Sequence, residues 1–235
     1  MNGFSYHDIF ETKGIEYLAI IAFFLLLIPF WIILNRQVVS RKIKQFIGVL
    51  SANILKIPQG VFFSKNHTWT HLQRSGSATV GLDDLLFHLT GDIKFNTFKD
   101  PGEMINKGDL LTEIDQDGKV LRIYSPISGK ILAANPLLID HPQLSNEDPY
   151  GKGWLYKIKP SNWVEETSSY YLAEDATQWS NRELERFKDF MATSGTKYGA
   201  YPSIAVLQDG GELCDHILSE MPKEIWEDFQ KEFLN

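Results

Sequence analysis

Between Tyr17 and Leu34 the chain reads YLAIIAFFLLLIPFWIIL, eighteen residues without a charge. At ~1.5 Å rise per residue a helix of that length reaches about 27 Å, enough for the hydrocarbon core of a bilayer. Pro29 is the one potential breaker, and a membrane helix tolerates it with a kink. A cleaved signal peptide is the competing reading, and three features oppose it. The run is long for a signal core, its upstream flank carries Asp8, Glu11 and Glu16 against Lys13, and no small-x-small site follows it. Between Asn35 and Gly60 every charged residue is basic: Arg36, Arg41, Lys42, Lys44 and Lys56. By the positive-inside rule that flank places residues 1–14 outside and everything after a transmembrane helix over 15–35 in the cytoplasm. A single-pass protein of the inner, cytoplasmic membrane is therefore expected, with Trp31 at the inner interface.

The charge changes sign farther along. From Val61 onward the chain has 17 basic and 27 acidic residues, a balance of about −10. An acidic domain of this kind is not built for nucleic acid, which rewards clustered positive charge. Cys214 is the one cysteine, so an internal disulfide framework and multi-cysteine metal sites within the chain are excluded. It reads as a small apolar residue on a C-terminal helix.

Residues 36–60 read as a basic juxtamembrane helix and linker, with Val39, Ile43, Phe46, Ile47 and Leu50 on one stripe. From Val61 to Ile158 the pattern becomes short apolar runs between turn signals, the mark of many short strands. ATVGL, DIKFNTF, LLTEI, VLRIYS and GKILAA are the strand candidates. After Pro160 the chain turns helical. NRELERFKDFMA predicts a helix capped by Ser180 or Asn181, with Leu184, Phe187, Phe190 and Met191 on one face. The tail, 193–235, offers a strand-like IAVL and then two short amphipathic helices, DGGELCDHIL and PKEIWEDFQKEFL, with Pro222 opening the last.

The order of these motifs resembles the glycine cleavage system H protein family from about Phe63 to Met191. FSKNHTW is similar to the family's entry strand, ATVGLDDLLFHLTGDI to its strand, short helix and next strand. PGEMINKGDLL and YSPISGKI flank a hairpin, and NEDPYGKGWLYKIKPS is nearly the family's signature. The resemblance implies a mainly β fold, a lipoyl-domain-like barrel-sandwich hybrid of two small antiparallel sheets with C-terminal helices, over 61–192. It also implies a structural turn at Asn146, Glu147, Asp148, Pro149, Tyr150 and Gly151. Catalysis by the chain itself is not implied, because an H protein is a carrier on which other enzymes act.

The hairpin EIDQDGKVLRIY is where a carrier would bear its arm. Asp117-Gly118 is a favoured pair for a two-residue type I′ turn and takes the tip. The resemblance puts the family's carrier lysine at the position of Gly118; the lysine here is Lys119, one place later. A one-residue shift along a strand turns a side chain to the other face. Two readings follow. In the first, the chain is a membrane-anchored scaffold without lipoate or other cofactor, docking a protein partner such as an enzyme or electron-transfer subunit at the membrane. In the alternative it is a working lipoyl carrier modified on Lys119.

Other candidates carry less. His67 and His71 are four apart, but HTWTH reads as a strand, where the two are too far apart for one ion. No metal site is expected, and Glu147 and Asp148 read as turn-capping residues rather than an acid–base pair.

Overall fold

The structure, a computed structural model, describes residues 17–18, 20–31, 50–96, 99–198 and 213–235. The chain divides into a unit ending at Ile47 and a compact unit, Gly48–Asn235. In the first, residues 17, 18 and 20–31 are helical. Apolar side chains stand exposed all along it, Leu26 at 71% and Trp31 at 63%. Among the described residues no helix is long and apolar enough to cross a membrane. Positions 15, 16, 19 and 32–35 of the expected span lie outside the described residues, as does the juxtamembrane stretch 36–49.

The compact unit is built on two antiparallel sheets. The larger orders its strands β1-β2-β3-β9-β8-β5: β1 Phe62–Phe63, β2 Thr68–Leu72, β3 Ala78–Leu82, β9 Tyr156–Pro160, β8 Gly129–Ala134 and β5 Met104–Ile105. The smaller orders β4-β6-β7: Lys94–Phe95, Leu110–Gln116 and Lys119–Tyr124. ATVGL and GKILAA are strands as read; of the described residues of DIKFNTF, 92–96, Lys94 and Phe95 form a strand. Five helices and two 3₁₀ turns complete the described part of the unit: α1 Asp84–Thr90, α2 Leu137–Asp140, α3 Leu144–Glu147, α4 Trp163–Thr167 and α5 Glu174–Tyr198, with the turns at Ala52–Ile54 and Ile217–Glu220. A sixth helix, α6, Lys223–Phe233, ends the chain.

Strand β7 alternates because one of its sides meets the core, whereas β3 is buried at all of its positions. Leu121 and Ile123 of β7 are buried while Val120 and Arg122 are exposed. The main core joins both sheets to α1, to Leu184, Phe187, Phe190 and Met191 of α5, and to the chain's end. A second cluster, Val61, Phe63, Trp69, Ala176 and Trp179, lies under the first turns of α5.

Three sequence expectations need correction. The long helix begins at Glu174, not at Ser180 or Asn181, because Ala176 and Trp179 have an apolar cluster to enter. The stretch containing Cys214 is a bridge and turn followed by a single 3₁₀ turn, so Cys214 is half-buried but on no helix. Pro222 is the N-cap of α6 rather than its first residue. The strand-like IAVL lies outside the described residues.

Candidate functional site

The β6–β7 hairpin closes as its sequence implies. Gln116 pairs with Lys119, leaving Asp117 and Gly118 as a two-residue turn. Their φ angles, 52° and 83°, are both positive, the requirement of a type I′ turn. Asp117 accepts that conformation as few residues do, and Gly118 without a Cβ penalty. The Gly118 N–H donates to Asp115 Oδ1 at 3.3 Å.

Lys119 opens β7 on the same side as Leu121 and Ile123, the side that faces inward, and it is half-buried. Its Nζ donates to the carbonyls of Ser219, at 2.7 Å, and Met221, at 3.3 Å. The ammonium also lies 4.9 Å from the ring centroid of Trp226, a cation–π distance. Both carbonyls belong to the end of the 3₁₀ turn, where unsatisfied C=O groups attract a cation. Further along β7 the side-chain amide of Gln230 accepts from Arg122 N at 2.6 Å and donates to Arg122 O at 3.2 Å. The chain's end therefore covers the hairpin strand.

What holds that end in place is mostly apolar. Pro222 follows Met221, the C-cap of the 3₁₀ turn, and is the N-cap of α6, on which Ile225, Trp226, Phe229 and Phe233 recur at helical spacing and are buried. Phe229 and Phe233 meet Phe187 and Phe190 of α5 edge-on. Trp226 Nε1 donates to Leu218 O at 2.7 Å, so its one polar atom is satisfied.

A second attachment lies at α1. His88 Nδ1 is 2.8 Å from Asp215 Oδ1, its Nε2 is 3.4 Å from Asp84 Oδ2, and its carbonyl accepts from His216 N. Burial works against the charged imidazole, but the hydrogen bonds and charges of Asp215 and Asp84 outweigh it and push His88 up to about 9. His67 sits just before β2 at φ 56°, fully buried, with Nδ1 2.8 Å from Asp83 Oδ2. Burial opposes its charged form too, yet Asp83 and then Glu183 raise it above the ordinary histidine value. It is a core ion-pair residue, while His71 on β2 is exposed.

The signature stretch folds into a turn closed by Asp148. Asp148 accepts from Gly151 N at 3.0 Å and Lys152 N at 2.9 Å, and Glu147 ends α3. Asn146 lies within α3 and Pro149 follows Asp148, while the Tyr150 hydroxyl accepts from Asp84 N at 3.1 Å. Burial, reinforced by Asp83 nearby, raises the Tyr150 phenol well above its ordinary range. Among the described residues no group of three His, Cys, Asp or Glu is placed to hold a metal ion.

Sequence reasoning found the two-residue hairpin tip, Asp117 and Gly118. It did not find the union of Lys119 with Ser219, Met221 and Trp226, for which the one signal was the strong amphipathicity of PKEIWEDFQKEFL.

Residues 61–183 match the family model described as Glycine cleavage H-protein. A probable glycine cleavage system H protein of Thermococcus gammatolerans is 37% identical over 119 residues, 51% of this chain and 88% of that protein. The glycine cleavage system H protein of Cronobacter sakazakii is 38% identical over 109 residues, 46% of this chain and 84% of that one. A solved glycine cleavage system H protein from Mycobacterium marinum aligns with a TM-score of 0.46 at 27% identity, covering 52% of this chain and 98% of that one. The family model covers 61–183 alone, so the apolar N-terminal run and the C-terminal cover of the hairpin both lie outside it. With more than half its length inside that match, the chain belongs to the glycine cleavage H-protein family.

Proposed function

We propose that this chain is an H-protein-type lipoyl carrier whose attachment residue is Lys119. Family membership supports this reading, and it makes the chain a carrier rather than an enzyme in its own right. The observation that carries the residue assignment is the two-residue turn: Lys119 is the one lysine between Leu110 and Tyr124, and it directly follows the tip. The role is to present a swinging arm to partner enzymes in glycine decarboxylation or a related aminomethyl or acyl transfer. The uncharged run 17–34 with its basic flank supports tethering of the carrier to the cytoplasmic face of the inner membrane.

A specific observation favours a second reading. The Lys119 amine is engaged by Ser219 and Met221, and Gly118 stands at the tip. On that reading the domain bears no lipoate and is a membrane-held scaffold for a partner enzyme or electron-transfer subunit. Intact mass and peptide mapping across residues 109–130, on protein purified from its native membrane, decide between the two. A lipoyl-sized increment on Lys119 is expected of a carrier. An unmodified peptide, from cells whose other carriers are lipoylated, leaves the scaffold.

A further inference from the structure

We propose that residues 213–235 form an intramolecular cap on the hairpin, so that Lys119 becomes available for acylation only when the cap opens. The biological meaning of the cap rests on the carrier reading above; its existence does not.

Three sets of contacts, at separate places, carry the inference. At the hairpin, the amine hydrogens of Lys119 go to two carbonyls of the cap, and the indole of Trp226 lies against the ammonium. Four residues along α6 from Trp226, Gln230 takes both backbone groups of Arg122. At the far end, Asp215 and the His216 N–H are joined to His88 of α1. The cap is thus pinned on both sides of Lys119 rather than touching it by chance.

The chemistry of an amine makes such a cap effective. Acylation needs a nitrogen lone pair directed at an activated acyl carbon. The C–N bond forms as the donor's leaving group departs, and a proton passes from nitrogen to solvent. An Nζ donating to Ser219 and Met221 with Trp226 beside it is held away from a bulky acyl donor, and still more from an enzyme that must grip the hairpin tip. Reaction then requires a local opening in which α6 leaves β7 while the two sheets stay folded.

Opening competes with considerable packing. Leu213, Ile217, Leu218, Met221, Ile225, Trp226, Phe229 and Phe233 all enter the main core. Spontaneous release is therefore rare, and a partner that binds the cap in preference to the hairpin would shift the balance. The arrangement makes modification of Lys119 conditional on a second event.

The test uses the full chain and a limiting amount of an N-hydroxysuccinimide acetate ester, with peptide mass mapping of each lysine over time. Lys130 and Lys152, both exposed, are the internal references. In the unaltered chain Lys119 should react at least about tenfold more slowly than either reference, as expected of a group that reacts through local opening. In Trp226→Ala the gap should close, while amide exchange in β2 and β3 stays slow and shows the sheets intact. Should Trp226→Ala unfold the sheets, Gln230→Ala, a change at a half-exposed residue, is measured instead and should raise the Lys119 rate alone. Equal rates for Lys119 and the references in the unaltered chain overturn the cap, as does an unchanged gap in a folded variant. A lipoate–protein ligase with lipoate and ATP is then added to the folded variant. If its Lys119 accepts acetate but no lipoyl group, the cap stands and the carrier reading falls.

Discussion

Trp69 and Gly81 lie opposite each other on β2 and β3, and the indole covers the glycine so closely that a Cβ there would sit 2.6 Å from the ring. Gly81→Ala forces the buried Trp69 out of its place between β3 and Tyr150. The substitution is expected to cost about 1–3 kcal/mol, the usual penalty of overpacking, read as a lower urea midpoint with an unchanged slope. The turn residues show how much single positions reveal. Asp117-Gly118 was legible because its φ requirement is local, whereas the fate of Lys119 was not, because its partners lie 100 and 102 residues farther on. No periodicity encodes a contact of that separation. The partner of His67 is hidden in a similar way: nothing local in the sequence shows that Asp83, sixteen residues later, shares its buried pocket.

Elements were read well where their faces were simple. Strand β7 of the hairpin alternates along its length, and the apolar face of α5 is the one its spacing indicated. The start of α5 was missed because EDATQW is polar at four of six positions, and only the apolar cluster beneath Ala176 and Trp179 justifies a helix there. The join between α1 and the chain's end has a pH dependence. His88 is held at about 9 by Asp215 and Asp84, above the ordinary 6.5. A raised folded-state value means its contribution is whole below pH 6.5 and disappears as the pH climbs through about 9. Since the ring is partly solvated, screening reduces that contribution to about 1–2 kcal/mol. Melting temperature should fall between pH 6.5 and 9.5 in the unaltered chain, and His88→Ala should flatten that part of the profile. An equal fall in both would place the dependence elsewhere.

For the molecule as a whole, the two-sheet domain could be named from ordered motifs, since many weak signals in the right order leave few alternatives. The C-terminal segment had no such template. Its amphipathic spacing showed that it must bury a face, but not against which strand. The anchor is an expectation of hydropathy and flanking charge, and it has a direct consequence for handling the protein. The full chain should stay with the membrane pellet through an alkaline carbonate wash that strips peripheral proteins, and release into the supernatant would remove the anchor from the account.

Gln230 has a further effect, on what other copies of the chain are able to do. β7 ends the three-stranded sheet, and a terminal strand ordinarily offers its backbone to any passing extended segment. At Arg122 that offer is already taken: the Gln230 amide bonds both the N–H and the C=O, as an incoming strand would. One side chain thus blocks this edge at Arg122 as a chain stopper blocks a polymer end, and a second copy pairing along β7 would first have to displace Gln230.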